Sequence, residues 1–151
     1  MGLPISVQSL FAIMVFQVTS GIVEDGEEVE TILTAYYPDT FSDDESGMVD
    51  VQGNRLRTLQ DYLDGRAPYV TVSMDPRLKV PYGTRVIIPT LNDHFGVKNG
   101  IRFEARDAGP HMEGAGFSRL DVCVRSEQDS YDVAVNRVAN VVFLFPNITR
   151  R

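Results

Sequence analysis

Residues 69–88 read YVTVSMDPRLKVPYGTRVII, two runs rich in β-branched residues with turn residues between them. The first run, Tyr69 to Met74, stops at Asp75-Pro76, and the second, Thr84 to Ile88, follows Pro81-Tyr82-Gly83. β-Branched and aromatic residues favour strands, whereas proline and glycine interrupt them. This stretch therefore predicts two short strands joined by a loop.

The same pattern recurs on both sides of this stretch. Further strands are predicted at Thr31 to Tyr37, Ile101 to Arg106, Arg119 to Arg125 and Val138 to Phe145. Helical signals are fewer, namely apolar residues at helical spacing between Leu56 and Leu63 and a helix-starting Ser126. Residues 39–54 are polar and predict a long surface loop. Six short strands with one or two short helices predict an all-β fold, a closed six-stranded barrel.

Chain length and charge narrow the possible functions. With 151 residues, the chain is long enough for one domain and too short for two of ordinary size. Lys and Arg total 14 against 21 Asp and Glu, a net charge of -7. Such a surface repels phosphate backbones, so we do not expect nucleic acid as a partner.

The amino terminus has the order of a secretory signal peptide. No charged side chain occurs in residues 1–21, where the apolar run Leu10 to Phe16 precedes the small residues Thr19, Ser20 and Gly21. The run is too short to span a bilayer comfortably. We therefore expect a signal peptide at 1–21, a single domain at 22–151, no stable membrane anchor and a secreted or periplasmic location. A buried first strand or helix is the alternative.

Three aspartates follow predicted strands or lie within them. In residues 101–107 the odd positions are apolar apart from the last, so alternation places Asp107 on the core face at the strand end. In residues 119–125 the even positions are apolar, which places Asp121 on the opposite face. Asp75 follows the strand that ends at Met74. Each has a structural alternative: Asp75 as a turn opener, Asp107 as a strand end and Asp121 as an exposed strand residue.

Several segments resemble the three-aspartate (3D) domain. They are Val72 to Pro76, Val80 to Pro89, Phe103 to Gly109 and Ser118 to Val122, and Leu33 to Tyr36 is similar to that domain's opening strand. The 3D domain is a double-psi β-barrel of cell-wall enzymes, including the membrane-bound lytic transglycosylase A family and related spore and resuscitation factors. The resemblance runs from about Thr34 to Phe145, and it implies a six-stranded double-psi β-barrel.

The resemblance also implies a site and a reaction. Asp121 takes the position of the catalytic acid/base, with Asp107 and Asp75 as supporting carboxylates. The substrate-binding residues it implies are Thr34, Tyr36 and Gly109. The implied substrate is a peptidoglycan-like glycan strand, cleaved with the 6-hydroxyl of the muramic sugar as nucleophile. One acid/base serves both steps. We expect a monomer that needs no cofactor and no metal.

The chain departs from the family's pattern at the turn after Asp107. The usual Asp-Thr-Gly-Gly-Ala appears here as Asp107-Ala108-Gly109-Pro110-His111, and Asp121 follows Asp107 at a longer spacing than usual. Both departures affect the loop expected to hold the sugar.

Other functional classes remain open. Similar double-psi barrels in expansins and barwin-like proteins bind polysaccharide without clearly hydrolysing it, although the absence of tryptophan favours a cleft enzyme. An enzyme directed against a competitor's wall would use the same chemistry. Three carboxylates could instead hold a hard cation, and His111 with Cys123 could form a base–thiol pair. His94 is predicted to lie in a polar loop without a role.

Overall fold

The structure is a computed structural model that describes residues 14–19 and 22–146. Seven strands are described: β1 Met14–Thr19, β2 Ile22–Tyr36, β3 Val70–Met74, β4 Thr84–Ile87, β5 Phe103–Ala108, β6 Arg119–Cys123 and β7 Val138–Leu144. Three short α-helices accompany them: α1 Leu59–Leu63, α2 Pro89–Phe95 and α3 Glu127–Ser130.

Six of these strands close into a barrel. Their order is β2-β6-β3-β5-β4-β7, and an additional pairing of β7 with β2 completes the circle. The pairs β2–β6 and β3–β5 are parallel, and the others are antiparallel. This closed, mixed barrel confirms the predicted all-β fold, with three helices in place of one or two.

The inside of the barrel is filled by the apolar residues that alternate along the strands. Leu33, Val72, Phe103, Leu120 and Phe143 all belong to the core cluster and are almost completely inaccessible to solvent. Burying a side chain of this size stabilises the fold by roughly 1.5–3 kcal/mol. The alternate residues of the same strands therefore lie on the outer face of the barrel.

Two elements differ from the sequence expectation. Strand β2 begins at Ile22, well before the predicted Thr31, because residues 22–27 pair with β1 and residues 26–32 pair with β7. Helix α2 was not predicted, and placing His94 in a loop was wrong, since His94 lies in its last turn. Its boundaries follow ordinary helix rules, with Pro89 in the first turn and Gly96 ending it at φ 65°.

Part of the outer face lies beneath polar loops. In the stretch predicted as a surface loop, Asp50 is buried, and its carboxylate accepts hydrogen bonds from the backbone N–H groups of Gln52 and Asn54. It also accepts a hydrogen bond from the Tyr82 hydroxyl at 2.5 Å. The loop is thereby attached to the barrel beside β4.

Most of the predicted signal peptide, residues 1–13, 20 and 21, lies outside the described residues. Residues Met14–Thr19 are described as β1, an antiparallel partner of the first residues of β2. The signal peptide stays a prediction. Among the helices of the described residues, none has the length and apolar character needed to cross a membrane.

Candidate active site on the outer face of the barrel

Four polar residues form one row across four neighbouring strands. Thr34 on β2 pairs with Asp121 on β6, Asp121 pairs with Ser73 on β3, and Ser73 pairs with Asp107 on β5. Residues paired in this way point to the same side of a sheet. With strands about 4.8 Å apart, the backbones of Asp121 and Asp107 are about 10 Å apart. Register alone thus brings two of the three predicted aspartates onto one surface.

The position of Asp107 corrects the sequence expectation. Alternation placed it on the core face, but a β-bulge shifts the register between Val72 and Ser73. Val72 pairs with Ala105, and Ser73 pairs with Asp107, so Arg106 is the extra residue. The bulge turns Asp107 to the outer face, where it is partly exposed. Without the bulge, its carboxylate would point among the apolar side chains of the core.

Asp121 lies opposite the core, as predicted, but it is buried. Its side chain is only 2% exposed. Thr34 donates a hydrogen bond from its hydroxyl to Oδ1 of Asp121. The Arg119 guanidinium donates to the Thr34 hydroxyl at 3.1 Å and lies 3.5 Å from the same Oδ1. These contacts hold the Asp121 carboxylate in one orientation.

His111 occupies the outer side of Asp121. Its Nε2 lies 3.0 Å from Oδ2 of Asp121, and its ring is 54% exposed. A Cβ added to Gly109 would lie 2.6 Å from Cε1 of this ring, closer than non-bonded atoms approach. The absence of a side chain at Gly109 therefore leaves the space that the imidazole needs to reach Asp121.

Tyr36 and Asp107 form a second pair in the same cluster. The Tyr36 hydroxyl donates to Oδ2 of Asp107 at 3.0 Å. Burial raises the pKa of Asp107, and the hydrogen bonds from Tyr36 and from the Ala108 N–H oppose part of that rise. Burial also raises the pKa of Tyr36 well above its usual value, with smaller contributions from Cys123 and Asp107. Both groups therefore keep their protons to a higher pH than they would in water.

Cys123 lies beside Tyr36 and is completely buried. Burial strongly raises the pKa of the Cys123 thiol, so the reactive thiolate is disfavoured. His111 contacts Asp121. The geometry gives no support to the alternative of a His111–Cys123 nucleophile.

Asp75 makes contacts of a different kind. Its carboxylate accepts hydrogen bonds from the backbone N–H groups of Arg77, Gly114 and Gly116 at 2.8, 3.0 and 2.8 Å. These bonds, with Arg77 and Gly116 contributing most, lower the pKa of Asp75. An ion pair between Arg77 and Glu113 at 2.8 Å adds a second connection to the same loop. Asp75 therefore holds the segment that carries His111.

A cleft of about 290 Å³ lies between the two supporting aspartates. Asp75 and Asp107 both line it, together with the apolar residues Met74, Leu78 and Val80. Asp107 thus lines the cleft while its carboxylate bonds to Tyr36. This cleft offers a ligand access to one end of the polar row.

Most of the predicted site residues lie together in the structure, and two of their partners, His111 and Arg119, were not predicted in these roles. Thr34, Tyr36, Asp107 and Asp121 come together, with Gly109 beside His111, whereas Asp75 acts on the neighbouring loop. Only the alternative with Cys123 gave His111 a role, and Arg119 was given none. The Gly-Pro-His sequence that departs from the family's turn was the available signal for His111.

Across the part of the chain that the structure describes, no cluster of three or more His, Cys, Asp or Glu side chains has metal-binding geometry.

These features define a closed mixed β-barrel with a carboxylate and imidazole cluster on its outer face. Comparison of the sequence with protein-family models finds no matching family, and comparison with curated proteins finds no match.

Proposed function

We propose that this protein cleaves the glycan strands of peptidoglycan or a related polysaccharide in the manner of a lytic transglycosylase. The observation that carries the proposal is the contact between the buried Asp121 and the exposed His111. Asp121 lies in the same row of paired residues as Asp107. Such a cluster provides groups for proton transfer beside a carboxyl whose pKa is raised. The resemblance to the 3D domain supplies the substrate class and reaction type.

In this proposal, Asp121 and His111 transfer the proton as a pair. Thr34 and Arg119 orient the carboxylate, and the carboxylate orients the imidazole, which is the member of the pair that a substrate can reach. The pair delivers a proton to the glycosidic oxygen as the bond from that oxygen to the sugar's anomeric carbon breaks. The 6-hydroxyl of the same sugar then attacks the anomeric carbon, and its proton returns to the pair. The products are an anhydro sugar end and a free hydroxyl end.

Asp107 has a supporting role in this scheme. Burial raises its pKa, although the hydrogen bond from Tyr36 opposes part of that rise, and the raised pKa favours a carboxyl that retains its proton to a higher pH than an exposed one. A neutral carboxyl there can donate a hydrogen bond to a sugar hydroxyl in the adjoining cleft.

The fold is compatible with this proposal. The parallel pairs β2–β6 and β3–β5 inside a closed six-stranded barrel suit the double-psi topology of the 3D domain. The scheme uses only side chains and needs neither a cofactor nor a metal. A secreted or periplasmic monomer that meets wall glycan is the setting we propose.

A second candidate is a wall-binding module without catalytic activity, like the expansin-like barrels. The observation in its favour is the burial of Asp121, whose 2% exposure leaves the carboxylate itself almost no contact with a ligand. Catalysis then depends on His111, whereas binding does not. The two candidates therefore differ in what His111 does.

Digestion of purified peptidoglycan followed by mass spectrometry tests the proposal. We expect anhydro-muramyl ends with the wild type and at least about a hundredfold fewer with Asp121→Asn or His111→Ala. The matched control is Asp93→Asn, because Asp93 is an exposed carboxylate on α2. Reducing ends would indicate hydrolysis instead. Glycan binding without any cleavage would replace the proposal with the binding module.

A further inference from the structure

A second cleft lies at the carboxyl ends of β2 and β6, away from the cleft of Asp75 and Asp107. It has a volume of about 570 Å³ and is lined by residues 37–41 and 125–127. Residues 37–41 follow the last residue of β2, and residues 125–127 lead from β6 into α3. A backbone hydrogen bond from the Val124 N–H to the Tyr36 carbonyl at 2.8 Å holds these segments together.

Aromatic rings are unusually exposed at this cleft. Phe41 is 95% exposed, Tyr131 is 70% exposed and Tyr37 is 42% exposed. Covering exposed apolar rings with a ligand removes them from water and is therefore favourable. Groups of exposed apolar side chains commonly mark binding surfaces. Phe41 and Tyr37 line the cleft directly, and Tyr131 stands beside it.

Hydrogen bonds hold the Tyr131 ring and the backbone that carries Phe41 in place before any ligand binds. The Tyr131 hydroxyl donates to Glu127 at 2.8 Å, a residue that lines the cleft. The loop that carries Phe41 is closed at its base by a backbone hydrogen bond from Asp39 to Gly47 at 3.0 Å. Asp39 also accepts a hydrogen bond from the Phe41 N–H at 3.0 Å. Such pre-ordering lowers the entropy cost of binding.

Polar groups surround the rings. Ser126, Glu127 and Thr40 line the cleft and supply hydroxyl and carboxylate groups. Arg125 adds a guanidinium, which is held in place by ion pairs with Asp61 on α1 and with Asp64, the residue that caps the end of this helix. A sugar ring carries C–H groups on its face and hydroxyls around its edge. It therefore matches a surface that combines aromatic faces with hydrogen-bonding groups.

The cleft also lies just beyond the end of β6, the strand that carries Asp121. Strand β6 ends at Cys123, and Arg125 follows it in a bend, four residues after Asp121. The backbones of Arg125 and Asp121 are therefore no more than about 14 Å apart, a distance that a few linked sugar units can cover.

We infer that the cleft formed by residues 37–41 and 125–127 is a binding subsite for a neutral sugar ring of the glycan strand. The sugar stacks on Phe41 and Tyr37 while its hydroxyls bond to Ser126 and Glu127. This inference rests on the proposed function for the class of substrate. It does not require that the strand be cleaved.

Calorimetric titration with a soluble N-acetylhexosamine tetrasaccharide tests the subsite, since binding is measured without turnover. We expect Phe41→Ala and Tyr37→Ala each to weaken binding about tenfold. A loss of affinity of this size is typical of an interface residue that contributes substantially to binding. Phe41→Trp keeps an aromatic face and should retain the affinity. Val138→Ala, which removes an exposed apolar side chain on β7 that does not line the cleft, should have no effect.

The outcomes separate the subsite from the proposed reaction. Unchanged affinity in both alanine variants, with a wild type that binds and cleaves, overturns the subsite alone. Weakened binding in those variants, with a wild type that binds but never cleaves, supports the subsite and overturns the proposed reaction. A wild type that does not bind the tetrasaccharide overturns the subsite, and the peptidoglycan digestion then decides the reaction independently.

Discussion

Gly109 and His111 are matched in space, because the imidazole ring lies where a side chain on Gly109 would be. The nearest ring atom, Cε1, would be 2.6 Å from an added Cβ. Gly109 adopts an extended backbone at φ -132° and ψ 153°, which any residue tolerates. Its lack of a side chain is therefore explained by the ring and not by the backbone.

Gly109→Ala should move His111 away from Asp121 and reduce turnover by at least about tenfold, without changing the fold. The reason is that the ring is the movable partner, while the extended backbone of Gly109 accommodates alanine. A double-mutant cycle with His111→Ala provides the check, because Gly109→Ala should have no further effect once the ring is absent. Additive losses in the cycle would show that Gly109 acts by another route.

Asp121→Asn should lower turnover by about 10²–10⁴-fold, as expected for loss of a proton-transfer group. If Asp121 were exposed, its replacement by asparagine would leave the stability of the fold unchanged. Because Asp121 is buried, we expect the substitution to destabilise the fold as well. The amide cannot satisfy Thr34, Arg119 and His111 equally well, so unfolding free energy should fall by about 1–3 kcal/mol. Turnover beside urea unfolding curves, with Asp93→Asn as control, measures both effects. Full turnover in Asp121→Asn would remove this carboxylate from the mechanism.

Asp107→Asn should gain stability relative to the wild type as pH rises. Burial raises the folded pKa of Asp107, so the folded state binds its proton more tightly than the unfolded state does. The wild type therefore loses relative stability between about pH 3.9, the usual carboxyl pKa, and the raised value. Urea midpoints of both proteins across the acid range measure this difference. A difference that does not vary with pH would contradict the raised pKa.

Asp75→Asn should loosen the segment from Pro110 to Ser118 and lower turnover through His111. The lowered pKa of Asp75 means that its carboxylate stabilises the fold above about pH 3.9 and loses that effect as pH falls through the folded value. The melting temperature of the variant should thus fall below that of the wild type at neutral pH, and the gap should narrow in acid. Hydrogen exchange should be faster at the Gly114 and Gly116 amides. Unchanged exchange at both amides would show that Asp75 does not hold the loop.

Cys123→Ala should keep most of the turnover, and the native protein should react slowly with thiol reagents. Burial and the raised pKa both disfavour the thiolate that such reagents need. Reaction rates with and without urea provide the measurement. Fast labelling of the folded protein together with loss of activity would revive the thiol nucleophile.

Local rules account for the strands and for part of the site. Alternating apolar residues such as Leu120 and Val122 reveal which face meets the core, because period-two alternation is a property of one strand alone. Ser126 is also a local signal. It marks the start of α3 because its hydroxyl accepts a hydrogen bond from the Asp129 N–H three residues later. Helix α2 had equally local signals in Pro89 and Gly96 and was nevertheless missed.

The sequence by itself determined an all-β barrel, the apolar faces of its strands and the set of aspartates that are candidates for proton transfer. Only the tertiary structure decided how these aspartates are used. The bulge that turns Asp107 outward is a mismatch between β3 and β5, and burial of Asp121 depends on partners from other segments of the chain. Asp75 differs from both because its partners are backbone amides, two of them 39 and 41 positions later. Periodicity describes one strand at a time, whereas register, burial and loop anchoring arise between segments that meet only in the folded chain.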